Sequence, residues 1–278
     1  MSLTRRDAIK AVAITAAGGT LMTRQAFAQE AAATEGALMP GADVCVITPE
    51  VTEGPYYFDP NLERADITEE RPGVATTVKL QVVDGVCQPL PGARVDLWHC
   101  DAAGQYSGYP NQTGGVDTTG QTFMRGTQFA GDDGTVEFQT VYPGWYPGRT
   151  THMHFKVFLD EQTVVTGQIF FPDALSQFLY ENVEPYKTRG SDRDTLNAND
   201  NIATRATRAS FAYVKELADR YLVAMIVGID PAATGASVNL RSTSGGPPPG
   251  GFGTADGAMS FPATEPSVSL VPGETAIR

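Results

Sequence analysis

The chain has 278 residues, of which 41% are hydrophobic and 19% charged, so its composition is globular and excludes an intrinsically disordered chain. This length is enough for one large domain or two small ones. The net charge of −12 disfavours nucleic acid and anionic membranes as binding partners.

Residues 1–28 have the features of an export signal rather than of a folded segment. A basic region with Arg5, Arg6 and Lys10 precedes a run of small apolar residues, and Ala26-Phe27-Ala28 fits a small-x-small cleavage site. The apolar run is too short to span a bilayer, and the paired arginines resemble a twin-arginine signal. We therefore expect export to the periplasm or the medium, without membrane association after cleavage. Cleavage would change the net charge from −12 to −15, because it removes four basic residues and one acidic residue.

Residues 74–230 have the sequence pattern of an all-β fold. Short segments rich in Val, Thr, Phe and Tyr are separated by turn-forming Gly, Pro and Asp residues, and several alternate polar and apolar residues. We predict a β-sandwich core with long site-forming loops and one or two short helices. Strands are predicted at 77–83, 93–99, 126–130, 135–140, 151–159, 164–171 and 221–228, a short helix at 173–183, and a strand or short helix within 208–222.

The segments that flank this core differ in composition from it. We expect residues 29–73 to form an N-terminal arm whose aromatic segment, 52–57, is ordered. Residues 231–278 are rich in Ser, Gly and Pro and are expected to form a flexible tail. Inside the core, the polar loop 102–121 is long, and such loops in compact domains are usually functional.

Three cysteines, Cys45, Cys87 and Cys100, leave one thiol over if two of them form a disulfide after export. We expect Cys87 and Cys100 to lie at opposite ends of one strand region, too far apart for a bridge. We therefore expect Cys45 to pair with one of the other two, and the sequence leaves open which. No Cys-x-x-Cys is present, which argues against a Cys2His2 zinc site.

Two of the three histidines form the pair His152-Met153-His154 in a predicted strand. Residues two apart project from the same face of a strand, so both imidazoles can reach one ion. The neighbouring Phe155 indicates a buried strand, where a histidine pair needs a partner. The alternative is two ordinary polar residues on a solvated face. The third histidine, His99, is expected to lie in the core or behind the site rather than to bind a metal.

Two tyrosines complete a candidate metal site. Tyr146 lies in the rigid run Pro143-Gly144-Trp145-Tyr146-Pro147, and Tyr106 follows a Gly-containing turn at a strand exit, which suits a pocket rim. A phenol has a pKa of about 10, so a strongly charged ion must displace its proton before it can bind as a ligand. Two imidazoles and two phenolates form a hard, anionic pocket suited to Fe³⁺. The alternative for each tyrosine is a ring packed in a loop.

Several segments together resemble intradiol ring-cleavage dioxygenases. Residues 95–106 resemble the first iron–tyrosine motif of that family, and residues 143–147 and 149–155 resemble the second. Residues 52–57 resemble the pocket-lining segment, and residues 167–171 resemble the strand after the histidines. The resemblance extends over roughly residues 45–230 and includes all four ligand types in the right order.

The resemblance implies a mononuclear non-haem Fe³⁺ centre. Tyr106 and His152 would be its equatorial protein ligands, and Tyr146 and His154 would be its axial ones. The implied substrates are a small aromatic ortho-diol and O₂, and the ring would be cleaved between the two hydroxylated carbons to give a muconate-type diacid.

The resemblance also implies three catalytic residues. The bound diol would displace Tyr146, Arg149 would stabilise the electron-rich ring, and Gln168 would contribute to the pocket. The short loop between Tyr146 and His152 is typical of exported members, which leaves the individual substrate and the oligomeric state open. The alternative function is an exported β-sandwich binding module without catalysis. A hydrolase is disfavoured, because no Gly-x-Ser-x-Gly is present.

Overall fold

The computed structural model of the chain describes residues 46–160, 162–190 and 192–232. Within them the chain forms two four-stranded β-sheets. The strands are β1 (Ala75–Val83), β2 (Arg94–Trp98), β3 (Arg125–Phe129), β4 (Thr135–Val141), β5 (His152–Leu159), β6 (Gln162–Phe170), β7 (Tyr213–Glu216) and β8 (Tyr221–Gly228). Two short helices, α1 (Asp173–Asn182) and α2 (Tyr186–Arg189), and two 3-10 turns (Ala203–Arg205 and Arg208–Ser210) lie between β6 and β7. The predicted all-β fold is confirmed.

The strand order is β4-β1-β8-β7 in the first sheet and β3-β2-β5-β6 in the second. Neighbouring strands are antiparallel except β1 and β8, which are parallel. A parallel pair cannot be joined by a tight turn, and here the whole second sheet is inserted between its two strands. The first and last strands, β1 and β8, thus lie side by side at the centre of the first sheet.

The hydrophobic core lies between the two sheets. Leu80 of the first sheet and Met153 and Phe155 of the second belong to one fully buried cluster. Burial of such a side chain stabilises the fold by about 1.5–3 kcal/mol. Because side chains alternate along a strand, His152 and His154 lie on the opposite, outer face of the second sheet. The pattern of β5 thereby separates the core face from the site face.

The helical region follows the sequence expectation closely. Helix α1 begins after Pro172 and ends at Asn182, where Val183 adopts an extended conformation. The segment predicted as strand or helix contains one element of each kind, a 3-10 turn and β7. Across the described ranges, no helix has the length and apolarity needed to cross a membrane.

The described part of the arm, residues 46–73, contacts both sheets. The Thr48 N–H donates to Gly228 O (2.7 Å) in the first sheet, whereas residues 51–57 pack on the outer face of the second. The Val51 N–H donates to Thr166 O (2.9 Å), and Tyr57 Oη donates to Asp96 Oδ2 (2.8 Å). Glu53 forms an ion pair with Lys156. These contacts hold the arm over the face that carries the two histidines.

The cysteine chemistry is partly described. Cys87 is disulfide-bonded, and Cys100 is a buried free thiol, so these two are not bridged to each other, as predicted. Cys45, the export signal and all but the first residues of the predicted tail lie outside the described residues.

Candidate metal centre

The four predicted ligands meet at one point on the outer face of the second sheet. Tyr106 Oη lies 3.5 Å from Tyr146 Oη, Tyr146 Oη lies 3.1 Å from His152 Nε2, and His152 Nε2 lies 3.0 Å from His154 Nε2. The structure therefore brings all four together, although Tyr106 lies 40 residues before Tyr146 in the chain.

Sheet register places the histidines and their neighbours. His154 on β5 is paired with Trp98 on β2 and with Gln168 on β6. Side chains at paired positions project from the same face, so Gln168 and Trp98 flank His154. The predicted pocket residue Gln168 is fully buried in this position, and its Nε2 donates to Thr52 O of the arm (3.0 Å).

Two glycines allow the two tyrosine loops to pack backbone to backbone. The Gly144 N–H donates to Asp101 O (3.0 Å), and a Cβ on Gly144 would lie 2.3 Å from Ala102 O. Gly104 has a φ of +75°, and a Cβ there would lie 2.2 Å from Trp145 O. Only glycine fits at such distances, and the close approach is what brings Tyr106 and Tyr146 together.

The backbone of Tyr106 is clamped by two polar side chains. Gln112 Oε1 accepts from the Tyr106 N–H (2.6 Å), and Gln112 Nε2 donates to Tyr106 O (2.7 Å). Thr118 Oγ1 donates to the same carbonyl (2.6 Å). Both residues lie in the loop 102–121, which the sequence marked as functional without identifying them.

Tyr106 is 1% exposed, so the expectation that it lies at a pocket rim is wrong. The ring of Tyr56 from the arm stacks on it, with centroids 4.3 Å apart and planes 11° apart. The arm covers this tyrosine, and the position of Tyr106 after a strand does not reveal that cover. Tyr146 is only half-buried and is the more accessible of the two.

His152 presents a lone pair to the site. Its Nδ1 lies 2.6 Å from Thr150 O and donates to it, which leaves Nε2 as the acceptor. Burial, reinforced by the positive charge of Arg149, holds the pKa of His152 well below its ordinary value. The neutral imidazole is the form that binds metals.

His154 is held by stacking instead. Its ring lies parallel to Trp98, with centroids 4.9 Å apart and planes 13° apart. Its Nδ1 is buried and has no hydrogen-bond partner among the described residues. Burial, followed by the neighbouring His152, holds its pKa well below the ordinary value. The sequence pointed to His154 but not to Trp98 as its support.

Burial raises the pKa of both tyrosines above the ordinary value. Each phenol therefore keeps its proton unless a cation compensates the buried negative charge. The site favours neutral imidazoles and requires a positive ion before its phenols ionise.

This donor set fits one metal ion. Bonds of about 2 Å from a metal to N or O ligands place neighbouring ligand atoms about 3 Å apart, and the three separations between donor atoms here are 3.0–3.5 Å. Within the described ranges no group of three or more His, Cys, Asp and Glu side chains could hold a metal. Here the donors are two imidazoles and two phenols. The two tyrosines would supply the anionic oxygen ligands that Asp and Glu supply in other metal sites.

Arg149 borders the donor atoms. Its side chain donates from NH2 to Gln168 Oε1 (2.6 Å) and from Nε to Asp200 Oδ2 (2.8 Å), and its NH1 lies 3.3 Å from His152 Nε2. Asp200 was not predicted, because a single Asp in an irregular polar segment carries no sequence signal. His99 lies in the core as expected, 0% exposed, with Nε2 2.8 Å from Thr140 Oγ1.

Known proteins resemble this chain in sequence and in structure. A family model described as "Dioxygenase" matches residues 52–181. The solved intradiol ring-cleavage dioxygenase of Tetranychus urticae is 33% identical, with a TM-score of 0.63, over 69% of this chain and 98% of that one. The catechol 1,2-dioxygenase of Acinetobacter baylyi is 24% identical over 66% of this chain. The chlorocatechol 1,2-dioxygenase of Cupriavidus pinatubonensis is 28% identical over 52% of it.

The chain spans 64% of the length of the first of these curated relatives and 60% of the second, whereas it covers nearly all of the solved structure. The similarity includes the segments that hold the tyrosines and histidines. This chain belongs to the intradiol ring-cleavage dioxygenase family.

Proposed function

We propose that this protein is a mononuclear non-haem Fe³⁺ dioxygenase that cleaves catechol-type ortho-diols with O₂. The ring would open between the two hydroxylated carbons to give a muconate-type diacid. The observation that carries the proposal is the convergence of Tyr106, Tyr146, His152 and His154 on one point, with 3.0–3.5 Å between successive donor atoms. The relatives named catechol and chlorocatechol 1,2-dioxygenase support the substrate class.

These four side chains would hold the ferric ion. When bound, the ion would draw electron density from a chelated diol and make its ring reactive toward O₂. Tyr106 is buried beneath Tyr56, whereas Tyr146 is half-buried on a surface loop. Tyr146 would therefore be the ligand with room to give way to substrate, and its oxygen, once ionised as a ligand, would accept a proton from a substrate hydroxyl.

Arg149 would supply positive charge beside the anionic ring. A preorganised charge in a site with little water is worth about 2.7–4 kcal/mol of transition-state stabilisation. Gln168 accepts from the Arg149 guanidinium and donates to Thr52 O, so it links the arm to the arginine. It would keep both in place while substrate binds.

The first test is the visible absorption spectrum of the purified protein, with iron quantified on the same sample. A broad tyrosinate-to-iron band that shifts on addition of catechol is the expected result, together with a diacid product that contains both atoms of isotopically labelled O₂. A colourless protein that stays iron-free after reconstitution would contradict the proposal and favour a binding module.

We also propose that the protein is exported by a twin-arginine route, on the evidence of residues 4–28 alone. Expression of the full chain with Arg5→Lys and Arg6→Lys should retain an uncleaved form in the cytoplasm, while the unaltered chain reaches the periplasm or the medium. The same distribution of the variant and the unaltered chain between cytoplasm and exported fraction would contradict the proposed export route.

A further inference from the structure

Asp200 is a buried carboxylate that touches the guanidinium of Arg149. Its side chain is 0% exposed, and its Oδ2 accepts from Arg149 Nε (2.8 Å). It lies beyond the residues matched by the family model, 52–181, in the irregular segment between α2 and the first 3-10 turn. A residue 51 positions from Arg149 in the chain thus reaches into the candidate metal centre.

The carboxylate is fixed by the backbone around it. Oδ1 accepts from the N–H groups of Ile202 and Ala203, both at 2.8 Å. The Asp200 N–H donates to Leu196 O (3.0 Å), and its carbonyl accepts from the Thr204 N–H (3.1 Å). The oxygen that faces the site, Oδ2, is therefore held in one place by groups that take no part in the site.

Oδ2 accepts a second hydrogen bond, from the Thr150 N–H (2.9 Å). The carbonyl of Thr150 in turn accepts from His152 Nδ1 (2.6 Å). One carboxylate oxygen thus contacts both the arginine and the residue that orients a predicted metal ligand. The group that accepts a hydrogen bond from the second nitrogen of a ligating histidine affects metal affinity or activity by about 10–100-fold. Here that group is the Thr150 carbonyl, and Asp200 holds the same residue at its N–H.

Asp200 remains ionised in this environment. Burial alone would raise the pKa of its carboxyl group, but the charge of Arg149 and the hydrogen bonds hold the pKa below its ordinary value. Hydrogen bonds between two ionised groups are shorter and stronger than those between neutral groups. The hydrogen bond between Asp200 and Arg149 is therefore stronger than one between neutral groups.

Arg149 would have orientational freedom without this partner. Gln168 accepts from NH2 only, and a guanidinium held at one nitrogen can still swing about that contact. The second contact, at Nε, defines the plane of the group and directs NH1 at the donor atoms, where it lies 3.3 Å from His152 Nε2.

We propose that Asp200 is a positioning residue that sets the orientation of the Arg149 guanidinium and, through Thr150, of the His152 ring. This inference rests on the proposed function, in which Arg149 stabilises the anionic substrate. A misplacement of about 1 Å at such a group can cost about 100-fold in rate, so the consequence of losing Asp200 is measurable.

The test compares Asp200→Asn with Asp192→Asn, an exposed aspartate in the same segment that controls for the loss of one charge. In the metal-free protein, the ¹⁵N-resolved signal of the Arg149 Nε–H is assigned by its absence in Arg149→Ala. We expect this signal to shift or to be lost through exchange in Asp200→Asn and to be unchanged in Asp192→Asn. An unchanged signal in Asp200→Asn would overturn the inference, whether or not the protein is a dioxygenase.

Kinetics of the iron-loaded protein give the second readout. Asp200→Asn should lower kcat about 10–100-fold and change KM less than threefold, while Asp192→Asn stays at the wild-type level. In an Arg149→Ala background, Asp200→Asn should lower kcat by a clearly smaller factor than in the wild type, because the part of its effect that passes through the arginine is already lost. Wild-type kcat in the single variant, or independent losses in the double variant, would overturn the inference.

An inactive wild-type protein would instead contradict the proposed function, and the NMR comparison would still decide the role of Asp200. If Asp200→Asn does not fold, Asp200→Glu is the second variant, since it keeps the charge and adds one methylene. We expect it to shift the same signal and to lower kcat severalfold. A wild-type signal and wild-type kcat in this variant would overturn the inference.

Discussion

His99 makes the stability of this protein depend on pH. Its side chain is fully buried, Nδ1 donates to Cys100 O (2.7 Å), and Nε2 accepts from the Thr140 hydroxyl (2.8 Å). Both nitrogens are satisfied in the neutral ring, and burial lowers the pKa of His99 to about 4 from its ordinary 6.5. The change we consider is His99→Gln, whose amide can donate to the same carbonyl and accept from the same hydroxyl.

The magnitude follows from the two pKa values. Between pH 6.5 and pH 4 the unfolded chain binds a proton at His99 and the folded chain does not, so stability falls as the pH falls through this window. At about 1.4 kcal/mol for each pH unit, His99 accounts for a loss of about 3 kcal/mol between pH 7 and pH 4. Above about pH 6.5 its contribution is complete and constant.

The assay is reversible denaturant unfolding at several pH values for the wild type and His99→Gln. Because other groups titrate equally in both proteins, the difference between the two curves isolates His99. We expect His99→Gln to lose about 3 kcal/mol less than the wild type between pH 7 and pH 4. Parallel curves would refute the reasoning that His99 is neutral in the folded protein.

Three further predictions concern the site. Tyr106→Phe would remove one of the proposed anionic ligands and should lower iron content and turnover together; unchanged turnover would rule out the ligand assignment. Arg149→Ala should retain iron and lower kcat about 100-fold, and wild-type kinetics would show that Arg149 takes no part in catalysis. Gly144→Ala places a Cβ 2.3 Å from Ala102 O and should separate the tyrosine loops, with a lower Tm and less bound iron. Gly131→Ala, whose Cβ would meet nothing nearer than 3.6 Å, is its control, and equal Tm values in the two variants would contradict the packing argument.

Local patterns were sufficient for much of the fold. The alternation in residues 77–83 predicted β1 to within two residues, and the apolar run at 221–228 coincides with β8. A strand with a period of two has only one way to bury its apolar face, so its pattern is visible without the rest of the protein. The sheet order and the parallel pairing of β1 with β8 depend on contacts between distant strands, and no local pattern encodes them.

The same distinction holds at the candidate metal centre. The sequence by itself determined that His152 and His154 share one face of a strand, and their spacing with Tyr106, Tyr146 and Arg149 was enough to indicate a family. Spacing of this kind is short-range or motif-like, so it can be recognised in an isolated chain.

Only the tertiary structure decided what supports these residues. Gln112 clamps the backbone of Tyr106, Trp98 stacks on His154, and Asp200 holds Arg149. The arm covers Tyr106, which the sequence placed at a rim. Each contact depends on how irregular loops or separate strands come together, because a polar side chain in a loop has no periodicity to indicate its partner and acquires one only when the chain has folded.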